Sequence, residues 1–594
     1  MATADISKMA IFDQRIVQNP PAYGVDKGSL SLTNAPYNAI ATSASQQTFN
    51  INVPSQNVFV DRAIDWTCSA FLKVQVTRPA GATGGDPALV LGRDAALAAF
   101  PLHELVSTMT ATINDTSVVI NTDSVLHEVL RMTDYQKNRL ARTCPTMLDR
   151  YQSYDDAFLA LNSPLNGYSD QTAPSEAPNG AWYDIQFCDS TGGNITNTAD
   201  TFTDIGATQA GATGLIYLKF TSIEKLVLSP FIFADSAEWE TGLFGINNIQ
   251  LVFNMKGGEQ RVLRNCQATG CVTINSVTLH AVNGSPFTGA AVNVQYLTPS
   301  LDIPLPAKSC VPYLEFPRYI NANLNALPAN SSATYSSTTI VLPQIPDMLI
   351  IYAKPKVYAL NEGDYYLPID QISLNFDNFA GLLSSHRGFQ LYQMAVHNGL
   401  EMTYEQWIGQ ARVALPPSGA TAGSVINTVG GFLILKPGQD FALQSGQAPS
   451  LIGNFTLQFN CRINNNTAAS VDPQLTVIAV NSGFFETLAG SSRIIKGVLS
   501  EADIISAEPI AQMSRDGLKR LVGHGFFSSL GSILSKAKDI YAATKPAVSA
   551  IKGMLPEGKI KGMLDSVGYG MSGAGPAGAG RAGAGKKSLT QRLM

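Results

Sequence analysis

The feature that most constrains this chain is that its β-rich body is written twice. Gly242-Leu243-Phe244-Gly245-Ile246-Asn247-Asn248-Ile249-Gln250-Leu251 returns in spaced form as Ser450-Leu451-Ile452-Gly453-Asn454-Phe455-Thr456-Leu457-Gln458-Phe459, with Leu, Gly and Gln in register. Val277-Thr278-Leu279-His280-Ala281-Val282-Asn283-Gly284 answers Leu475-Thr476-Val477-Ile478-Ala479-Val480-Asn481-Ser482, and Pro101-Leu102-His103-Glu104-Leu105 answers Pro368-Ile369-Asp370-Gln371-Ile372. The order is the same in both halves, and the offset falls along the chain from 267 to 208 to 198. Longer loops in the first copy produce that trend, so the pattern is a domain duplication and not a short-period solenoid.

A chain of 594 residues exceeds what one hydrophobic core supports, so two or more domains are expected. Only 14% of residues are charged, against about 25% in ordinary soluble proteins. Such scarcity suits large contacts between chains, because charged side chains are depleted at interface cores. No apolar run approaches the roughly 20 residues that cross a bilayer. Met1 to Lys8 lacks the apolar core of a signal peptide, and seven scattered cysteines suit reduced, buried thiols, so a secretory route is not indicated. Charge is divided unevenly. Ser514 to Met594 holds 13 Lys/Arg against four acids, a balance of +9, which leaves −14 on the rest of a chain totalling −5.

Residues 1–48 are polar and turn-rich and read as an extended arm. A first β unit is expected over 49–290 and a second over 291–500. Alternation in Phe49 to Val53 and Cys68 to Val76 reads as half-buried strands, and Asn114-Asp115 between apolar runs reads as a hairpin. Asp123 is expected to cap a short helix carrying Val125, Leu126, Val129 and Leu130 on one face. A second helix is expected from Leu382 to Val396. About 144–214 is a long surface loop rich in Ser, Thr, Asn, Gly and Pro. Residues 501–594 form a tail: Leu518, Leu521, Val522, Phe526 and Leu530 make an apolar stripe, Lys519, Arg520, Lys536, Lys538 and Lys545 lie around it, and a Gly/Ala-rich stretch leads to Lys586-Lys587. This basic amphipathic tail is the candidate surface for a polyanion or a membrane.

Enzymatic signatures are missing. The six His are dispersed, and no phosphate-loop or nucleophile-elbow motif occurs. Cys266 and Cys271 with His280 make an incomplete zinc set whose spacing fits no standard finger. Asp155-Asp156 reads as a solvated pair, and Tyr392, Tyr404 and Trp407 as core or subunit contacts. No catalytic, cofactor or metal residue is assigned.

The order of elements, strands, a Pro-led hairpin, a short helix, a long excursion and two sheet strands, resembles the major capsid proteins of the double jelly-roll lineage that includes tectivirus, adenovirus, virophage and polinton-like viruses. The stretches carrying the resemblance run from Phe100-Pro101-Leu102-His103-Glu104-Leu105 through Thr112-Ile113-Asn114-Asp115-Thr116 to Val125-Leu126-His127-Glu128-Val129-Leu130, and from Leu226-Val227-Leu228-Ser229-Pro230-Phe231 to Phe253. The resemblance implies an all-β fold of two tandem eight-stranded jelly rolls with short helices. It further implies a structural capsid subunit, not an enzyme, that self-assembles as a homotrimer into pseudo-hexagonal tiles of an icosahedral shell. Its partners would be itself, other capsid components such as a penton protein, and genome or an inner membrane through the tail. Its place would be the virion, after synthesis in host cytoplasm or nucleus. The competing readings are a single jelly-roll capsid protein with a projecting domain and a β-sandwich adhesin or carbohydrate-binding protein.

Overall fold

A computed structural model describes residues 31–80, 89, 94–132, 148–153, 185–195, 211, 213–232, 242–267, 270–299, 308–412, 425–497 and 499–506. The first roll uses strands β1 (Ser31–Asn38), β2 (Gln46–Asn52), β3 (Asp65–Thr77), β4 (Val106–Ile113), β5 (Thr116–Asn121), β6 (Thr213–Lys225), β7 (Asn248–Met255), β8 (Thr273–Leu279) and β9 (Phe287–Thr298). One sheet runs β1–β9–β3–β6, with β8 continuing the β9 position along β3, and the facing sheet runs β2–β7–β4–β5.

The second roll uses β10 (Ser309–Glu315), β11 (Ser331–Ser336), β12 (Ile340–Gln344), β13 (Met348–Pro355), β14 (Ile369–Phe376), β15 (Phe379–Leu382), β16 (Leu433–Leu435), β17 (Ile452–Asn465) and β18 (Pro473–Leu488). Its sheets run β10–β18–β13–β16 and, with β11 and β12 sharing one edge of β17, β11/β12–β17–β14–β15. Both rolls connect eight strand positions in one order across two facing antiparallel sheets, which is the jelly roll. The fold is a double jelly roll, so the second half is no unrelated projection.

Pairing gives the duplication a register. Asn114 turns β4 into β5 at φ 53°, and Asp377 turns β14 into β15 at φ 50°; Asn and Asp are the non-glycine residues that tolerate this left-handed region best. The Asn114 N–H donates to the Asn248 carbonyl at 2.9 Å, and the Asp377 N–H to the Thr456 carbonyl at 2.8 Å. Ile113 sits opposite Ile249, and Phe376 opposite Leu457. The repeat around Gly245 and Gly453 is therefore in true register, whereas the pairing of Pro101 with Pro368 is four residues out. Pro101 begins helix α1 (Pro101–Glu104), where its missing N–H costs nothing, while Pro368 directly precedes a strand.

Three boundaries differ from expectation. Residues 31–48 are not arm: β1 pairs along its length with β9, and β2 begins at Gln46, because neighbouring strands satisfy the backbone of this polar stretch. Residues 291–298 complete the first roll as part of β9, so they do not open the second. The helix expected at 382–396 is α3 (Gly388–His397), with strand β15 ending at Leu382. Asp123 lies in a 3₁₀ turn before helix α2 (Leu126–Leu130) and makes no cap; its carboxylate meets Lys256 instead. Val125, Leu126, Val129 and Leu130 are buried together as anticipated. Helix α4 (Tyr404–Trp407) buries Trp407, whose indole N–H donates to the Phe432 carbonyl at 3.0 Å.

Candidate functional site: the seam between the rolls

Helices α1 and α2 of the first roll face the second across a buried polar seam. Leu126, Val129 and Leu130 turn inward, leaving His127, Glu128 and Arg131 between them to meet the other roll. Tyr366 donates to Glu128 at 3.1 Å, Tyr352 donates to the Ser124 carbonyl at 2.9 Å, and the Glu401 N–H donates to the Arg131 carbonyl at 2.9 Å. Arg318 reaches the Ser124 hydroxyl at 2.5 Å.

At the centre lies an ion-pair relay. His127 Nε2 is 2.8 Å from Glu104 Oε1 and 3.4 Å from Asp364 Oδ2. Lys256 Nζ lies 3.7 Å from Glu104 and 2.5 Å from Asp123. Arg264, with 2% of its side chain exposed, pairs with Asp364 and, at 3.3 Å, with Asp149. Arg261 pairs with Asp364 at 3.2 Å, donates to the Glu362 carbonyl at 2.8 Å and lies over the Tyr358 ring. Four carboxylates meet three fixed cations, so a protonated His127 makes the group neutral.

Each shift follows from that balance. Burial opposes ionisation of Asp364, but Arg264, His127 and Arg261 outweigh it and hold the carboxyl well below its usual range. Burial likewise opposes Glu104, yet His127 and Lys256 bring it down to about 2. Burial alone would lower His127; Asp364 and Glu104 overcome this and raise it. Glu128, lacking so close a cation, is raised by burial. Glu104, His127 and Asp364 bring ligand atoms within 4.8 Å of one another, as a metal triad would. Arg264, Arg261 and Lys256 already sit on the same carboxylates, so the chemistry favoured here is charge pairing.

The rolls also meet at a second, mostly uncharged contact. Ser492 Oγ donates to the Ile113 carbonyl at 2.5 Å, the Gly490 N–H to Gly245 at 2.9 Å, and Ser309 Oγ to Gly242 at 3.0 Å.

Sequence reasoning missed the relay because Glu104, His127, Lys256, Arg264 and Asp364 are scattered over 260 positions. The available signal was charge set in apolar runs, as in Leu126-His127-Glu128-Val129 and Arg261-Val262-Leu263-Arg264. Of the residues weighed for chemistry, Cys266 and Cys271 come together, with Sγ atoms 3.1 Å apart. His280 instead contacts the Ser190 carbonyl at 2.8 Å and packs on Tyr217. Tyr392, Tyr404 and Trp407 form one aromatic cluster with Phe389. The tail residues Lys519, Arg520, Leu521, Phe526, Lys536, Lys538, Lys545, Lys586 and Lys587, and the Asp155-Asp156 pair, lie outside the described residues.

Tandem jelly rolls of one plan joined by a buried seam define the structural class. Comparison narrows it. Residues 4–297 match the family described as Sputnik virophage major capsid protein 1st domain, and residues 316–483 the major capsid protein V20 C-terminal domain. The putative capsid protein V20 of Sputnik virophage is 28% identical over 593 residues, covering 96% of this chain and 94% of that protein. The chain resolved in the cryo-EM structure of the Sputnik virophage is 26% identical with a TM-score of 0.73, covering 88% of this chain and all of that one. The mavirus major capsid protein shares the fold at 12% identity and a TM-score of 0.61, covering 86% and 99%. The chain belongs to the double jelly-roll major capsid proteins and is a structural component of a virion.

Proposed function

We propose that the chain assembles as a homotrimer whose three copies set six similar rolls around one axis, a pseudo-hexagonal tile of a virophage-like icosahedral shell. The observation that carries this reading is the shared register of the two rolls: two wedges of one plan in each subunit let a three-fold unit fill a six-fold lattice position. The low charge content adds support, since extensive subunit contacts disfavour charge at their centres. We read the protein as non-enzymatic, with its buried ionisable groups committed to pairing. Light scattering and negative-stain microscopy of the purified protein test the assembly. Trimers or shells are expected; a monodisperse monomer at micromolar concentration would overturn the reading.

The tail after Ser506 is proposed to face the shell interior and to meet genome or an inner membrane, with a penton protein closing the lattice elsewhere and synthesis in host cytoplasm or nucleus. Its charge of +9 over 514–594 suits a polyanion, and the stripe at Leu521 and Phe526 suits a bilayer surface. Binding to DNA should weaken steeply with salt. Leu521→Asp with Phe526→Asp should abolish liposome binding and leave DNA binding nearly intact. Neither binding, with normal assembly after deletion of 514–594, would remove the tail from the account.

A further inference from the structure

The segment that carries the first roll's two seam arginines ends in a cysteine loop. Arg261 and Arg264 hold Asp364, the Asn265 N–H donates to the Leu360 carbonyl of the second roll at 2.9 Å, and Cys266 follows directly. The chain then reverses through Gly270, at φ 89°, and returns at Cys271. The two sulfurs lie 3.1 Å apart, about 1 Å beyond the roughly 2.0 Å of a disulfide bond.

Both stems of the loop are fixed without that bond. The Cys266 N–H donates to the Asp94 carbonyl at 2.7 Å and the Val272 N–H to the Asp94 carboxylate at 3.3 Å. The Asn265 side chain donates to the Val272 carbonyl and accepts from the Ile274 N–H, each at 2.8 Å. Thiols held this close by other contacts can be joined with little movement of the backbone, which is the condition under which a cross-link adds stability and not strain. Cys266 is fully buried, whereas Cys271 retains 8% of its surface, so the outer sulfur is the one a reagent meets first.

We propose that Cys266 and Cys271 form a reversible dithiol–disulfide switch that fastens the seam segment after the coat has folded. The thiolate of Cys271 attacks a small-molecule disulfide such as glutathione disulfide, expelling one reduced thiol and leaving a mixed disulfide. Cys266 then attacks the Cys271 sulfur and expels the second thiol. Two protons leave the protein, two electrons pass to the oxidant, and one S–S bond forms. Folding proceeds without the bond, because the Asp94 and Asn265 hydrogen bonds already shape the loop. Oxidation limits how far Arg261, Arg264 and Asn265 can withdraw from the second roll, so a coat moved from reducing to oxidising surroundings becomes harder to open.

The test uses the purified full-length protein with glutathione disulfide or dithiothreitol, read by intact mass, by non-reducing peptide maps and by thermal unfolding. Exposed Cys310 serves as the control that the oxidant is active. The expected result is loss of two hydrogens in a peptide linking Cys266 to Cys271, with a rise of about 2 °C in the unfolding midpoint. Cys266→Ser and Cys271→Ser should each show one midpoint that does not rise on oxidation. A protein glutathionylated at Cys310 with no 266–271 link overturns the proposal. So does a link that leaves the wild-type midpoint unchanged, a comparison that needs no variant to fold.

Discussion

The same strand position behaves differently in the two rolls. In the first, β9 alternates exposed, half-buried and buried residues over Phe287–Thr298, as a strand does when one face looks outward. In the second, β18 is buried at every residue from Leu475 to Thr487, and β13 is buried from Met348 to Ala353. The difference lies in what covers the outer face. Roll-one segments lie against the second roll's sheet, where the Tyr352 hydroxyl donates to the Ser124 carbonyl, the Leu314 N–H to the Ser229 hydroxyl, and the Thr487 hydroxyl to the Phe244 carbonyl. One jelly-roll plan thus yields a sheet with a free face in one copy and a sheet sealed on both faces in the other. Duplication sets the path of the chain; the asymmetric docking of the copies sets which strands become core.

The sharpest way to break that comparison is a charge in the sheet of each roll. Ile478→Asp places a carboxylate at a position with no exposed surface and should cost about 4 kcal/mol or more, enough to abolish soluble folded protein. Gln75→Asp, at an exposed position of β3, should stay within about 0.5 kcal/mol in the same expression and melting assay. Equal tolerance of the two would show that the second sheet is not sealed.

Arg264→Met tests the seam itself. Removing a buried guanidinium takes one of three cations from Asp364 and an ion-pair partner from Asp149, so chemical denaturation should register a loss of about 3 kcal/mol. Adding Asp364→Asn should restore part of it. No restoration would show that Arg264 acts by packing and not by charge.

The pH dependence of unfolding should report the same relay. His127 has a folded pKa raised above its ordinary value of 6.5, so its contribution is complete below pH 6.5 and is lost as pH rises through the folded value. Glu104 and Asp364 are lowered, so theirs is present above the ordinary carboxyl range and is lost on acidification, for Glu104 as pH falls toward about 2. Midpoints measured across pH should fall on both sides of a mildly acidic plateau. His127→Gln should flatten the alkaline arm and shrink the acid one, because His127 also helps lower Glu104 and Asp364; an unchanged alkaline arm would remove His127 from the linkage.

The smallest effect belongs to the second contact between the rolls. Ser492→Ala deletes a hydroxyl shared between the Ile113 carbonyl and the Asp115 carboxylate, and should cost about 0.5–1.5 kcal/mol in denaturant titration. A loss matching that of Arg264→Met would invert the ranking of the two contacts.

Much of the fold was legible because hairpin and strand signals are local. Asn114-Asp115 announces its own turn, and the Gly245 and Gly453 repeats align in the register that pairing later imposes. The Pro101 and Pro368 match failed by four residues because proline suits both the first turn of a helix and the residue ahead of a strand. Residues 31–48 were read as an arm because their polar sequence carries no apolar period; strand partners lying far along the chain satisfy their backbone instead.

The sequence by itself determined that the chain is duplicated, rich in short strands, poor in charge and carries a basic amphipathic end, because each of these is written in neighbouring residues or in composition. Only the tertiary structure decided that His127, Glu104, Lys256, Arg264 and Asp364 belong to one relay, that Cys266 faces Cys271, and that the second roll's outer sheet is sealed by the first. These depend on contacts between residues distant in the chain, where burial fixes what each charge is worth, and no local pattern encodes which face will meet which.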